Sequence, residues 1–511
     1  MRPNARFWRP FLLIWAGIGL LMILWSFATP IGAAPDEPAH FVKAASVVRG
    51  QLIGMTSPDG SVVKVPRYVA FTQSETCFAF QNEITADCSP IDAADPAALV
   101  PAATTAGLYN PVYYLLVGWP SLLLHDQSGL YAMRIVSGLL TSFFVAVTGA
   151  QLLSLRRRTV PVLALGVAVT PMILFLGGAV NPNALEATGT LSVFVTMFLV
   201  VRHADPSRLP ARVVILVLSA TVAVTMRGLS PLWVAIALLS PLLLLTREVA
   251  TTLIRSRWAR TAVVVIGAVA VYAVVWIVAT NSLSATYTAN ASQAPGIGDS
   301  PLQGFLFILF GTFGYAQGMV GVFGWLDTPA PLAVFFTWSV FAGGLVLVGV
   351  LALRARARIL MIGLLVALIV LPAALQATYI RSGGIIWQGR YALPLFLCLL
   401  LALGLLLAET VPGLDARVRR ILVVVVVASW AFCQVYSFGT ALRRYSVGLT
   451  GDLAGMVTHP SWSPPGGIVP LTVTFAILCA LASWLLVRTI LRQPDDAAVD
   501  AEAALSPSRG I

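Results

Sequence analysis

The chain is poor in charge. Asp, Glu, Lys and Arg make up 10% of its 511 residues, while hydrophobic residues make up 58%; a soluble domain carries about 25% charged residues. A surface that thin in charge excludes an ordinary water-soluble globule. Cysteine is scarce too, five in all, with none of the paired spacings that hold structural zinc. No Gly-rich P-loop is present, so neither zinc nor nucleotide binding has its usual signature. Internal repeats are absent, which weighs against the paired-repeat design of many transporters. The net charge of +11 lies in short basic clusters between apolar stretches. It therefore reads as the positive cytoplasmic loops of a membrane protein and excludes a nucleic-acid surface.

What the chain has in abundance is apolar runs. Most are near the roughly 20 residues that cross a bilayer as a helix. Runs such as Ile421 to Ala428 do not alternate, which excludes a membrane barrel and leaves helices. The expected fold class is all-α, a polytopic transmembrane helical protein. The first run, Phe11 to Ala28, precedes a small-residue stretch, Gly32-Ala33-Ala34. It is longer than a signal peptide's apolar core and many runs follow it, so it is read as a retained first span.

Basic clusters orient the chain. Arg2, Arg6 and Arg9 set the N-terminus in the cytoplasm, and Arg156-Arg157-Arg158 mark the next cytoplasmic loop. Between them Leu108 to Leu124, with Pro111, Pro120 and three tyrosines, is read as a helix at the outer interface. Tyr131 to Leu155 is the second span. The others run roughly over 160–180, 184–201, 211–227, 231–247, 261–281, 331–353, 359–379, 391–409, 420–438 and 468–490, about twelve in all. The glycine-broken stretch Phe305 to Phe323 is read as re-entrant or interfacial. External segments are then Pro30 to Leu130, Ser282 to Ala330 and Gly439 to Gly467. Residues 1–492 form a single membrane domain with 30–130 as its large first external loop. Residues 493–511, with Asp495, Asp496, Asp500 and Glu502, read as a disordered cytoplasmic tail. Both termini are expected in the cytoplasm, and the location is the plasma (inner) membrane.

Ionisable groups at the edge of a bilayer are functional candidates. The foremost set is Pro35-Asp36-Glu37-Pro38-Ala39-His40-Phe41, directly after the first span. On a helix Asp36 and His40 share a face. Asp36 is either a catalytic or metal-binding group or only a helix N-cap ahead of Pro38; capping requires neither Glu37 nor His40. Asn181-Pro182-Asn183 likewise reads as a cap, with Glu186 about one turn inside the span and directed to a cavity. Four arginines lie at outer ends, Arg134, Arg227, Arg381 and Arg390, the last within Gln388-Gly389-Arg390-Tyr391. Guanidinium forks match phosphate or carboxylate, although single arginines also snorkel to head groups. In Phe323-Gly324-Trp325-Leu326-Asp327, Trp325 is either an interfacial belt residue or a site residue, and Asp327 is a further external acid. Cys77 and Cys88 are the two cysteines in water and are paired here as a disulfide. Cys398, Cys433 and Cys479 lie in spans as packing residues.

The ordered set "PDEPAHF", "YNPVYYLL", "NPNALE", "FGWLDTPAP" and "QGRYALP" resembles a bacterial family of predicted membrane proteins (a domain-of-unknown-function family) allied to the GT-C glycosyltransferases. The likeness runs over roughly residues 11–440. The resemblance implies a sugar donor on a polyprenyl phosphate, a glycan or lipid acceptor, and inverting transfer on the extracytoplasmic side in cell-envelope assembly. It implies that Asp36, with Glu37 second, is general base or metal ligand, the metal being Mg or Mn if one is used. Arg390, with Arg381 in reserve, would meet the donor phosphate. The alternatives are a non-catalytic membrane assembly factor and a lipid or glycan transporter. The transfer reading predicts that Asp36, Arg390 and one of Glu186 or Asp327 share one outer cavity.

Overall fold

The structure, a computed structural model, describes residues 5–492 apart from 59, 91, 93, 284–294 and 412. The 493–511 tail and Arg2 lie outside the described residues. Among the described residues, nine helices are long and apolar enough to cross a membrane: Phe7–Ala28, Gln127–Leu153, Pro182–Arg202, Arg257–Thr280, Leu332–Ala352, Ala355–Gly383, Gly389–Thr410, Ala416–Val447 and Ile468–Leu491. The expectation of about twelve is corrected at three places. The 160–180 segment is a broken pair, Thr159–Ala168 and Pro171–Gly177, bent by 59°. Leu209–Val224 and Ser230–Leu244 are apolar but shorter.

The bend has a local cause. Pro171 cannot continue the hydrogen-bond ladder, and backbone freed within a bilayer needs other partners. The Val169 carbonyl accepts from Trp430 Nε1 and Gln434 Nε2, both at 2.9 Å, and the Val167 carbonyl accepts from Trp338 Nε1 at 2.8 Å. The break is therefore satisfied by side chains of two later helices.

Pro182–Arg202 is the buried centre of the bundle. Its Ala184, Ala187, Gly189 and Ser192 are small, which lets neighbouring backbones approach. Ser192 and Ser219 hydroxyls meet at 2.8 Å across one such contact. Arg257–Thr280 is largely exposed on the outside of the bundle, as a lipid-facing helix would be.

The loops expected on the cytoplasmic side converge at one end. Arg202 pairs with Glu409 at 2.8 Å, Arg157 donates to the Ala408 carbonyl at 3.0 Å, and Arg158 donates to the Thr489 carbonyl at 2.8 Å. The opposite end carries the segment 30–130, expected to be external, which has more internal structure than the sequence suggests. Helix Glu37–Val47 packs on a three-stranded antiparallel sheet of Met55–Ser57, Gly60–Pro66 and Leu99–Thr104. Val63 pairs with Ala102 in register. Phe41, Val42, Val65, Val69, Tyr113 and Val117 form its small core. Buried Lys43 donates to the Leu52 and Gly107 carbonyls, each at 2.5 Å, and fastens helix to loop; burial pushes its ammonium down to about 8. Within Leu108 to Leu124, expected as one helix, Pro111–Gly118 is helical; Asn110 Oδ1 caps it by accepting from Val112 N at 3.1 Å. Cys77 and Cys88 are disulfide-bonded. Residues 301–323 form two short helices broken at Gly311 and the first strand of a two-stranded hairpin. The third external segment starts later than expected, because helix Ala416–Val447 runs past Gly439.

Candidate functional site

Asp36 is the N-cap residue of helix Glu37–Val47, yet its side chain makes no capping hydrogen bond. Its backbone sits in the left-handed region at φ 64°, which Asp reaches more readily than most non-glycine residues. The carboxylate is released from capping and turned to Arg390, whose Nη2 donates to Asp36 Oδ2 at 2.7 Å. Arg390 is 1% exposed, whereas the Asp36 side chain is 46% exposed. Arg390 Nε and Nη1 are buried and have no hydrogen-bond partner among the described residues. One donor of the guanidinium thus holds Asp36, and two positions remain for an anion.

Three local features fix Arg390. Gln376 Oε1 accepts from Ile386 N and Trp387 N at 3.1 and 3.0 Å, and Gln376 Nε2 donates to the Gly384 carbonyl at 2.8 Å. This clamps the turn that leads into Gln388. Gly389 then passes so close to helix Thr312–Val320 that a Cβ would lie 1.9 Å from the Tyr315 carbonyl oxygen. Beyond it the Tyr391 ring lies between two guanidinium groups, Arg390 at 5.2 Å and Arg227 at 4.3 Å from its centroid.

Arg227 extends the polar cluster towards helix Pro182–Arg202. It donates to Asn183 Oδ1 and faces Tyr109. Asn181 is the cap of helix Pro182–Arg202, its Oδ1 accepting from Asn183 N at 3.0 Å. Its Nδ2 donates to the Pro35 carbonyl at 3.1 Å, which ties that cap to the residue before Asp36. Glu186 is buried and accepts from Ser230 Oγ at 2.5 Å. Ser230 Oγ in turn accepts from Arg227 N at 2.8 Å, so Asp36, Arg390, Tyr391, Arg227, Asn183, Ser230 and Glu186 form one connected polar cluster at this end of the bundle.

His40 lies next to this cluster, 4% exposed, with Nδ1 and the Tyr114 hydroxyl 2.9 Å apart. Burial holds its pKa down to about 3; the Asp36 charge pulls it up, while Arg227 and Arg390 push it further down. Burial thus favours the neutral ring, which lies beside Asp36.

Five further candidates are placed elsewhere. Glu37 is fully buried and accepts from Arg134 Nε at 2.8 Å, Arg134 Nη2 at 2.5 Å, Val180 N at 2.9 Å and Gly32 N at 3.1 Å. Arg134 also donates to the Ser26, Thr29 and Pro30 carbonyls at 2.7 to 2.9 Å. Both groups are saturated, so this pair is an internal strut and is corrected from the catalytic and substrate-binding sets. Asp327 accepts from Arg444 Nη2 at 3.0 Å, and Arg444 also holds the Phe78, Gln81 and Ile84 carbonyls around the disulfide loop. Trp325 donates its indole N–H to the Gly32 carbonyl at 2.9 Å and packs on Phe80, which makes it a seal between loops. Arg381 is exposed and takes part through its backbone carbonyl, which accepts from Gly298 N at 3.3 Å.

Asp36 and Glu37 do not fit a shared divalent cation, because both Glu37 oxygens are committed to Arg134 and backbone N–H groups. No group of three or more His, Cys, Asp or Glu suited to a metal occurs among the described residues. Sequence reading missed Arg444, Lys43, Gln376 and Tyr391 as organising residues. Arg444 and Gln376 carried a signal, since polar groups at or within spans are costly and usually have a use.

Among solved structures, ArnT from Cupriavidus metallidurans in the apo state matches at 15% identity, covering 94% of this chain and 77% of its own, with a TM-score of 0.43. No role or residue is transferred from so distant a likeness. No curated protein matches the chain. The model of the family described as "Predicted membrane protein (DUF2142)" matches residues 20–399. The chain thus belongs to the DUF2142 family of predicted membrane proteins.

Proposed function

We propose that the protein is a glycosyltransferase that moves a sugar from a polyprenyl-phosphate donor to a glycan or lipid acceptor at the extracytoplasmic face of the plasma membrane. The observation that supports this reading best is the 2.7 Å contact between half-exposed Asp36 and buried Arg390, with two guanidinium nitrogens left free. Acid and arginine come from opposite parts of the chain, 354 residues apart, and meet beside apolar helices suited to a lipid tail.

The chemistry follows from the groups. An acceptor hydroxyl attacks the anomeric carbon of the donor sugar and the bond from that carbon to the phosphate oxygen breaks. The leaving phosphate remains on the polyprenyl chain. Asp36 takes the hydroxyl proton as general base. Positive charge is needed where the departing phosphate gathers negative charge, and the free edge of Arg390 supplies it, with Arg227 across Tyr391 as the second cation. Attack opposite the leaving phosphate inverts the anomeric centre. No step is routed through a metal.

The test is Asp36→Asn in the full-length protein. Purified variant and wild type, reconstituted with labelled polyprenyl-phosphate sugars and envelope glycan acceptors, should differ by at least about a hundredfold in transfer, with unchanged thermal unfolding. Arg390→Gln should fall as far. Undiminished transfer by a stably inserted Asp36→Asn protein would overturn the reading and favour the assembly-factor or transporter alternatives.

A further inference from the structure

The segment 30–130 holds a polar hollow that the Asp36–Arg390 pair does not line. A cavity of about 160 Å³ is lined by Tyr68, Phe71, Glu75, Asp92, Pro96 and Gln127, among others. Its walls are set by bonds of their own. The Tyr68 hydroxyl donates to the Leu124 carbonyl at 3.0 Å, and Arg67 grips Asp92 at 2.6 and 3.3 Å. Glu75 is different. It is 9% exposed, its Oε1 accepts a long 3.4 Å bond from Gln127 Nε2, and its Oε2 is buried without a partner among the described residues.

Buried carboxyl oxygens are rarely left unsatisfied, and each exception in a folded protein calls for an explanation. Burial pushes the Glu75 carboxyl up to about 7, against the opposing pull of the Arg134 guanidinium and the Gln127 amide. The group is desolvated and ready to accept a hydrogen bond from something that enters the cavity. A ligand that completes it carries a donor hydroxyl at its edge. Tyr68 and Phe71 offer it an apolar face, and Gln127 an amide. Binding sites of this kind join apolar walls to a few placed polar groups. The space suits one ring and not a chain of rings.

We propose that this cavity is a saccharide-binding subsite in which Glu75 Oε2 accepts a hydroxyl of one sugar ring packed against Tyr68 and Phe71. It deepens the transfer reading, and rests on it for its role, which is to hold a residue of the acceptor glycan. The binding itself does not depend on that role.

The experiment uses the full-length protein in nanodiscs and saturation-transfer difference NMR with a panel of methyl glycosides of hexoses, N-acetylhexosamines and pentoses. Wild type should saturate at least one of them. Glu75→Leu should weaken that glycoside at least tenfold with no loss of thermal stability, since the substitution removes an unsatisfied group. Phe71→Ala and Gln127→Ala should each weaken it severalfold, and they decide the matter if Glu75→Leu does not insert. Asp36→Asn should leave the binding unchanged. Absence of saturation across the panel, or binding indifferent to these three substitutions, overturns the proposal, as does loss of the signal in Asp36→Asn. Intact binding at Glu75 together with transfer indifferent to Asp36→Asn would instead sink the transfer reading alone.

Discussion

Arginine at an outer helix end has three different uses here, and only the partners tell them apart. Arg390 keeps two guanidinium nitrogens unsatisfied and one on a half-exposed acid. Arg134 spends its donors on Glu37 and three carbonyls and is wholly buried. Arg444 spends Nη1 and Nη2 on a loop and Asp327, with Nε unpartnered among the described residues. A buried pair broken on one side leaves an uncompensated charge, at a cost of about 3–5 kcal/mol. Arg134→Gln should therefore unfold the external segment or prevent recovery of monodisperse protein. Arg134→Met combined with Glu37→Leu should regain much of that stability in thermal unfolding. A single Arg134→Gln variant with wild-type stability would contradict the strut. Neighbouring Asp36 and Glu37 thus have opposite fates. Their shared chemistry was legible in the heptapeptide; the direction each side chain takes from the turn was not, because it depends on the left-handed backbone at Asp36.

At the scale of elements, the turn 384–390 and the helix Thr312–Val320 set the position of the free guanidinium. Gly389 is required by approach, since its built Cβ would meet the Tyr315 carbonyl at 1.9 Å and the Gly318 Cα at 2.9 Å. Backbone on both sides cannot yield without moving Arg390. Gly389→Ala should lower transfer by about a hundredfold, the order expected for a displacement near 1 Å, while detergent-solubilised protein remains folded by circular dichroism. Transfer at the wild-type rate would show that Arg390 is not held by this contact. Element types were largely readable. The cap at Asn181, the helix after Asn110 and the break at Gly311 all carry local signals in proline, asparagine or glycine. The sheet of the first external segment was not read, because its strands are short and its core depends on packing against helix Glu37–Val47.

Across the whole molecule, the residues assigned to the outer side from basic clusters do collect at one end, and Arg157, Arg158, Arg202 and Glu409 collect at the other. Orientation can be measured directly. In a background with Cys77→Ser and Cys88→Ser, a membrane-impermeant maleimide should label Gln81→Cys in intact spheroplasts. It should reach Arg354→Cys only after permeabilisation. The opposite pattern would place Asp36 and Arg390 on the cytoplasmic side and remove the proposed donor from reach.

The amino-acid sequence alone determined the class of the protein. Low charge, long apolar runs and dispersed basic clusters demand a helical membrane protein, because a bilayer accepts little else and each of these signals is local. It also marked Asp36 as exceptional, since two acids at the water edge of a span are costly without a use. Tertiary structure decided which acid meets which arginine. Asp36 lies 354 residues from Arg390, Glu37 lies 97 from Arg134 and Asp327 lies 117 from Arg444. Pairings over such separations follow from how the helices pack and where each loop is clamped, and no periodicity or spacing along the chain records that.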